Sequence, residues 1–241
     1  MKTITISKYG WMDGWMATIL AIVVTLFMAA AAPSYAGIVD HQDQKSESME
    51  NGGNVLPPKA QPKGYSLSDM AKATAAFNVT YPRPDVFPDV VNGKPFQGLF
   101  TTPANTTNTF NVKQDTMLYV PVLAIDDSPT IIGTFPKVGD QKALEFYFYN
   151  HSQLGTHYTN ITVDGKVTSL NDDYVVEVKV APLPDGFGTQ YIAAAAFLTP
   201  LKKGHHTVEI SAFEDGDAMC AAIAPNPCPW QFSVVYNVIV H

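Results

Sequence analysis

The feature that most constrains the fold is a two-residue alternation of apolar and polar side chains in the C-terminal part of the chain. From about residue 98 onward, seven short runs are rich in β-branched and aromatic residues, and turn-forming stretches such as VDGK, LPDGFG and PLKKG separate them. Successive side chains of a strand point to opposite faces, so the alternation is typical of strands with one buried face. With no helical pattern between the runs, residues 98–241 are predicted to form an all-β domain, an antiparallel β-sandwich of the immunoglobulin-like or jelly-roll-like kind.

An apolar segment, ATILAIVVTLFMAAAA, lies near the N-terminus and is followed by PSYAG. The small residues Ser34 and Ala36 stand three places and one place before a cut at Gly37, as in secretory signal peptides. Residues 1–36 are therefore predicted to be a signal peptide, and the protein to be secreted into the extracellular space or the periplasm. Without cleavage, residues 15–32 could just span a bilayer and would anchor the protein in the membrane.

A polar segment and a short helix are predicted between the signal peptide and the sandwich. Residues 37–64 are rich in Gly and Pro and almost without aliphatic side chains, which is typical of a flexible, disordered tether. Ser66 stands at a helix N-cap position with Asp69 three residues later, and apolar residues then follow at helical spacing. A proline-rich stretch ends this helix, so residues 65–97 form a separate segment.

The charge balance limits the class of partner. The sequence contains 15 Lys and Arg residues against 22 Asp and Glu, and removal of Lys2, Lys8 and Asp13 with the signal peptide leaves 13 against 21. A net charge of about −8 disfavours nucleic acid and anionic membranes as partners. Nothing after the signal peptide is long and apolar enough to span a membrane. The expected partners are proteins or carbohydrates at the cell surface.

The sequence contains two cysteines, Cys220 and Cys228, in the stretch CAAIAPNPC. A close pair in an oxidising compartment is typical of a disulfide across a loop. A thiolate metal site would need a C-x-x-C spacing or further cysteines, and the sequence has neither. A disulfide is therefore predicted.

Two adjacent histidines, His205 and His206, stand at the start of a predicted strand. Alternation places His206 on the same side as Val208 and Ile210, while His205 faces solvent. Neighbours that point in opposite directions do not readily bind one metal ion. The prediction for His206 is a structural one, a residue at the rim of the core that is held by hydrogen bonds.

Four stretches resemble, in order, segments of a family of exported bacterial and archaeal proteins of uncharacterised function. They are NVKQDTMLYVPVLAIDDSP (the family's PAGK-x-x-x-FPV-x-N), TVDGKVTSLNDDYVVEVKV (its VDG and L-x-x-Y-x-V), PLKKGHHTVEI (its L-x-x-G-x-H-T) and WQFSVVYNVIV (its terminal strand). The resemblance covers about residues 108–240, but KQDT replaces the family's Gly-Lys turn, and the Cys and Trp often found before that turn are missing. It implies a secreted β-sandwich in which His206 is the matching histidine, and it carries over no catalytic residue.

An acidic loop, FEDGDAMC, is a candidate calcium site. It contains Glu214, Asp215 and Asp217, and Asp126 and Asp127 could add ligands if their loop lies at the same end of the sandwich. Carboxylate oxygens are the ligands that calcium prefers. The alternative is a solvated acidic turn, since Asp-Gly is a common turn former. Calcium is the only cofactor that the sequence suggests.

The stretch EFYFYNHS alternates Phe and Tyr and is predicted to be a strand. One pair of rings would enter the core, leaving Tyr147 and Tyr149 on the other face, with Tyr158 and Tyr191 nearby. Such a face could be a stacking platform for sugars or for a partner protein. The alternative is that a second sheet or a loop covers it.

Four N-x-[ST] sequons mark candidate glycosylation sites in an exported chain. They are Asn78, Asn105, Asn150 and Asn160. About as many as two would arise by chance in a chain of this composition, so the sequons alone do not decide whether glycans are attached.

The sequence contains none of the common catalytic motifs: no G-x-S-x-G, no H-E-x-x-H and no phosphate-binding loop. The favoured interpretation is a secreted, non-catalytic binding or structural module of the cell surface. A polysaccharide hydrolase remains the first alternative, because paired catalytic carboxylates have no fixed spacing in sequence. A calcium-dependent binding protein is the second.

Overall fold

The computed structural model describes residues 54–80, 87, 96–100, 108–184 and 186–241. These residues belong to one compact unit, residues 50–241. The predicted signal peptide, most of the predicted tether, most of the proline-rich segment and the sequon at Asn105 lie outside the described residues. Within the described residues, no helix is long and apolar enough to cross a membrane.

The described residues form two β-sheets that pack together, with a few short helices, so the predicted β-sandwich is confirmed. The strands are β1 Phe96–Gly98, β2 Thr109–Val112, β3 Met117–Asp126, β4 Thr156–Val163, β5 Lys166–Ser169, β6 Val175–Lys179, β7 Gln190–Leu198, β8 Gly204–Glu214 and β9 Trp230–Val240. The helices are α1 Leu67–Val79, α2 Gln141–Tyr149 and α3 Asp217–Ile223, and single 3₁₀ turns occur at Pro62–Gly64 and Asp172–Tyr174. The sheet orders are β1-β3-β7-β6 and β2-β9-β8-β4-β5.

The two-residue alternation determines which side chains enter the core. In β8, Val208, Ile210 and Ala212 point to one face and are buried, while Thr207 points to the other face and is exposed. β8 pairs with β9 along its whole length, from Gly204 opposite Val240 to Glu214 opposite Trp230. Both strands therefore turn their apolar sets to the same face, which packs against the other sheet.

β7 is buried on both faces, which explains its continuous apolar sequence. On one face Ala194 and Ala196 join the main core between the sheets. On the other face Tyr191 and Ala193 pack with Ala71 and Ala75 of α1. The helix thus covers the outer side of the four-stranded sheet, as helices do on doubly covered sheets.

α1 begins and ends where the sequence predicts a helix. The Ser66 hydroxyl accepts from the Asp69 backbone N–H at 3.1 Å, and the Asp69 carboxylate accepts from the Ser66 backbone N–H at 2.9 Å. This capping box satisfies two of the free N–H groups of the first turn. Met70 and Phe77 are among the residues that it buries against the sandwich.

Two details of the predicted sandwich are wrong. The sheets are mixed rather than antiparallel, since β1 pairs with β3 in parallel and β2 pairs with β9 in parallel. Helices α2 and α3 also interrupt the strand order, although no helix was expected after residue 98. β1 and β2 are short strands at the edges of their sheets, where a parallel partner needs few hydrogen bonds.

The predicted tether ends earlier than residue 64. Val55 is 5% exposed and forms a bridge with Leu198 of β7, and the Leu56 backbone N–H donates to the Phe197 carbonyl at 2.8 Å. The Tyr174 hydroxyl donates to the Leu56 carbonyl at 3.1 Å. The aliphatic pair in NVLPP thus provides enough apolar surface to dock residues 54–56 on the sandwich.

Candidate functional site

A groove of about 770 Å³ lies between α2 and the β4–β5 edge of the five-stranded sheet. We call it the α2 groove. One wall is a face of α2, the second is the start of β4, and the third is the segment of residues 169–172 that leaves β5. The residues that define these walls are Lys142, Glu145, Phe146 and Tyr149 of α2, His157 and Tyr158 of β4, and Asp172.

The stretch EFYFYNHS lies largely in helix α2, so the strand predicted there is wrong. The Asp140 carboxylate caps the helix by accepting from the Ala143 backbone N–H at 3.0 Å. Leu144, Tyr147 and Phe148 are the buried residues of α2. They stand at positions i, i+3 and i+4, which lie on one face of a helix. This capped, amphipathic pattern was present in the sequence, but the alternation of Phe and Tyr hid it.

The helix removes Tyr147 from the predicted aromatic platform. Tyr147 is fully buried, and its hydroxyl donates to the Ile132 carbonyl at 2.9 Å. Tyr191 is also fully buried, beneath α1. Of the predicted platform residues, Tyr149 and Tyr158 line the groove, and Phe146 stands beside them.

The outward face of α2 carries four groove residues at positions 142, 145, 146 and 149. In a helix this spacing places all four side chains on one stripe. Phe146 is 52% exposed and Tyr149 is 39% exposed, which is unusual for large aromatic side chains. The sequence prediction missed Lys142, Glu145 and Phe146, because a strand would have directed Phe146 into the core.

A β-bulge at the start of β4 supplies the second wall. Thr156 pairs with Glu214 and Tyr158 pairs with Phe213, so His157 is an extra residue with no partner of its own. Thr156 is buried, His157 is exposed and Tyr158 is half-buried. The bulge therefore turns two successive side chains, His157 and Tyr158, toward the groove, as bulges commonly do at binding sites.

Hydrogen bonds from outside the groove hold its polar groups. His157 Nε2 lies 2.9 Å from Asp215 Oδ2. The side-chain oxygen Oδ1 of Asn150 accepts from the Ser152 backbone N–H at 2.9 Å and from the Ser152 hydroxyl at 2.7 Å. These bonds fix which atom of the Asn150 amide faces the groove: its NH₂ group remains as a donor.

Tyr149 shares the groove with two carboxylates, those of Glu145 and Asp172. Burial, together with the negative charges of Asp172 and Glu145, raises the pKa of its hydroxyl. The hydroxyl thus stays protonated at any physiological pH. It can donate a hydrogen bond while its ring offers an apolar face.

The five carboxylates of the predicted calcium site have different partners, although Asp215 and Asp217 share His151, at 3.3 and 3.8 Å. Asp127 accepts from the Thr189 and Gln190 backbone N–H groups at 2.6 and 2.8 Å, and Asp126 accepts from Ser128. Asp215 is paired with His157, as described. Within the described part of the chain, no group of three or more His, Cys, Asp or Glu side chains is arranged to hold a metal ion.

The two other acidic residues of that predicted site lie in different surroundings. Asp217 Oδ1 is exposed and 3.8 Å from His151 Nε2. Glu214 is 1% exposed, and one of its oxygens accepts from the Thr156 hydroxyl at 3.0 Å. Burial raises the pKa of Glu214 to about 7. The described residues therefore do not bring the five carboxylates together as one ligand group.

His206 occupies the position predicted from the alternation of β8, at the rim of the core. Its side chain is 16% exposed, and its Nε2 lies 2.8 Å from the Lys202 carbonyl oxygen. Its Nδ1 lies 2.7 Å from Oδ2 of Asp164. Burial alone would lower the pKa of His206, but the bonds to Asp164 and Lys202 outweigh it and raise the pKa. His205, by contrast, is exposed.

The predicted disulfide between Cys220 and Cys228 is confirmed, with Cα atoms 5.4 Å apart. It joins α3 to the loop that leads into β9.

The predicted sequons differ in accessibility. Asn150 is exposed, whereas the Asn78 side chain donates to the Tyr191 hydroxyl at 2.7 Å, and that of Asn160 accepts from Ser169.

No family model and no curated protein matches the chain. Among solved structures, the chain is similar to the crystal structure of the cysteine protease inhibitor EhICP2 from Entamoeba histolytica, with 14% sequence identity and a TM-score of 0.25. That match covers 61% of this chain and 95% of the inhibitor. These comparisons assign no family to the chain.

Proposed function

We propose that the protein is a secreted, non-catalytic binding module of the cell surface or extracellular space, and that its ligand binds in the α2 groove. The observation that carries the proposal is the concentration of partly exposed aromatic side chains in one concave surface. Phe146, Tyr149 and Tyr158 all line the groove. Binding sites for small ligands are concave, largely apolar and supplied with a few oriented polar groups.

The energetics of the groove favour a role in binding over a role in folding. An exposed aromatic ring contributes little to folding because its apolar surface stays in water, as at Phe146. The cost of leaving that surface exposed would be recovered when a ligand covers it. The adjoining bulge in β4 gives up ladder pairing at His157 and turns that side chain toward the groove, while its Nε2 stays paired with Asp215.

The secreted location rests on the predicted signal peptide together with the disulfide. A bond between Cys220 and Cys228 is compatible with an extracellular or periplasmic compartment, where such bonds persist. The acidic charge of the chain is compatible with a soluble surface module rather than one that adheres to anionic membranes.

A polysaccharide hydrolase is the second candidate, and one observation favours it. Glu145 and Asp172 both line the groove, and both act electrostatically on Tyr149. Glycosidases use two carboxylates about 5–10 Å apart. If the pair were catalytic, Glu145→Gln and Asp172→Asn would each abolish turnover while leaving binding in place.

The test is the adhesion of the purified protein, expressed from the full sequence, to washed cells of the organism that produces it. Tyr149→Ala should weaken adhesion about tenfold, since one stacked ring contributes up to about 1.4 kcal/mol. The matched control is Phe187→Ala, which removes an aromatic ring that is 88% exposed and lies on the β6–β7 connection. Equal effects of the two substitutions would contradict the proposed site, and release of reducing sugar from the cells would favour the hydrolase.

A further inference from the structure

We infer that the ligand of the α2 groove is an uncharged oligosaccharide. The inference rests on the proposed function, because it names the ligand class of the same groove. It combines three properties of the groove: where its rings lie, which hydrogen-bonding groups accompany them and which charge they carry.

The rings come from two different walls. Phe146 and Tyr149 are three residues apart on α2, so they are neighbours on one stripe of the helix, and Tyr158 belongs to the wall formed by β4. A pyranose ring has a face of C–H bonds with a slight positive charge, which fits the negative face of an aromatic ring. Several rings along a groove would contact several sugar units of one chain.

The polar groups match the edge of a sugar, where hydroxyl groups both donate and accept. The oriented Asn150 amide presents donors, and the Glu145 and Asp172 carboxylates present acceptors. Asn171 precedes the 3₁₀ turn without using its side chain as a cap, so its amide adds a donor and an acceptor. A hydrophobic peptide would leave most of these groups desolvated and without partners, which costs free energy.

The charges of the groove exclude an anionic ligand. The groove is lined by two carboxylates, those of Glu145 and Asp172, and by one ammonium group, that of Lys142. The whole chain is acidic as well, so a uronate or sulfated polysaccharide would be repelled at long range and would also find too few cations in the groove. An uncharged sugar meets neither obstacle.

The probes for the experiment are defined hexasaccharides measured by isothermal titration calorimetry with the protein expressed from the full sequence. The uncharged set is cellohexaose, mannohexaose and N-acetylchitohexaose, and the anionic set is hexamers of alginate and hyaluronan. We expect at least one uncharged hexamer to bind, with an affinity that changes less than twofold between low and high salt. We expect no heat of binding from the anionic hexamers.

Substitutions locate the binding in the groove. Tyr149→Ala and Phe146→Ala should each weaken the bound hexamer about tenfold, whereas Tyr149→Phe, which keeps the ring, should stay within threefold of the wild type. Phe187→Ala should not change the affinity. Phe146 and Tyr149 are partly exposed, and Tyr149 also packs against the buried Phe148, so unfolding curves of the variants are measured to verify that each keeps the fold.

The outcomes separate this inference from the proposed function. Binding of anionic hexamers alone, or binding that ignores the Tyr149 and Phe146 substitutions, overturns the inference. Failure of every hexamer also overturns it; if Tyr149→Ala still weakens adhesion to cells, the binding module stands and its ligand is a protein. If adhesion is insensitive to Tyr149→Ala as well, both conclusions fail.

Discussion

His206 is joined to Asp164 by a hydrogen bond of 2.7 Å between Nδ1 and Oδ2. Asp164 lies in the turn between β4 and β5 with a positive φ of 48°, and its second oxygen accepts from the Thr207 backbone N–H at 2.9 Å. One side chain of a tight turn thus holds both the side chain and the backbone of the neighbouring strand. Since Nε2 of His206 also faces an acceptor, the carbonyl of Lys202, the charged imidazolium form fits this position best.

Substitution of the two histidines should have unequal effects. His206→Ala removes two hydrogen bonds and leaves Asp164 with an unmatched oxygen, so we expect it to lower the free energy of unfolding by about 1–3 kcal/mol. His205→Ala, on the exposed side of β8, should stay within about 0.5 kcal/mol. Urea unfolding at pH 6 measures both values. Equal losses would mean that the alternation of β8 does not determine the role of His206.

Stability should fall as pH rises through the range in which Glu214 ionises. Its pKa in the folded protein is about 7, above the ordinary value of 4.5, so its neutral form favours the fold. This contribution is complete below pH 4.5 and is lost as pH passes 7. At pH 8 the free energy of unfolding of Glu214→Gln should therefore exceed that of the wild type by up to about 3 kcal/mol. At pH 4.5 the two free energies should be closer to each other.

The comparison needs a matched control on the same strand. Glu209→Gln, which alters a carboxylate bonded to the Ser233 hydroxyl at 2.6 Å, should retain the pH dependence of the wild type. His206 adds a second loss of stability. Its pKa is raised in the folded protein, so its contribution is lost as the pH rises from the pKa of a free histidine through the raised pKa. A Glu214→Gln protein with an unchanged decline between pH 5 and 7 would disprove the assignment to Glu214.

The disulfide should stabilise the protein by constraining one short loop. It closes a short loop, with a sequence separation of 8, so its removal in Cys220→Ser/Cys228→Ser should cost about 2–3 kcal/mol. Thiol titration of the unfolded, unreduced wild type should find no free thiol. The single variants serve as controls and should each lose about as much as the double variant, because either one opens the same loop. Two titratable thiols would argue against an oxidising compartment.

Processing of the N-terminus is the prediction on which the location depends. Ser34 and Ala36 match the small residues of a signal-peptidase site, so the mature protein should begin at Gly37. N-terminal sequencing of the native protein measures this directly. An intact Met1 would instead favour a protein anchored in the membrane by its apolar segment.

Patterns that depend on a few neighbouring residues predicted the structure well. The capping box of Ser66 and Asp69, the alternation of β8 and the short spacing of Cys220 and Cys228 all involve residues close in sequence. The fold class, helix α1, the rim position of His206 and the disulfide were therefore accessible from sequence alone.

Features that depend on distant partners were not accessible. The bulge at His157 exists only in the register between β4 and β8, and the parallel pair β2–β9 joins segments more than a hundred residues apart. In α2 two periods compete: alternate aromatic residues favour a strand, whereas Asp140 and the spacing of Leu144, Tyr147 and Phe148 favour a helix. In the folded chain this stretch is helical, and the Tyr147 hydroxyl bonds to the Ile132 carbonyl, a contact outside the helix that the local periods do not contain. The α2 wall of the groove could therefore not be predicted.

The place of β9 in its sheet has a consequence for the order of folding. β9 follows the other eight strands along the chain, yet it lies between β2 and β8. Before Trp230–Val240 is available, β2 has no partner and β8 presents an open edge that invites pairing with another chain. The sheet can close only by a contact between segments far apart in sequence, which is the kind of topology that folds over milliseconds to seconds. A nascent chain that lacks β9 would therefore stay open and prone to aggregation until this strand joins it.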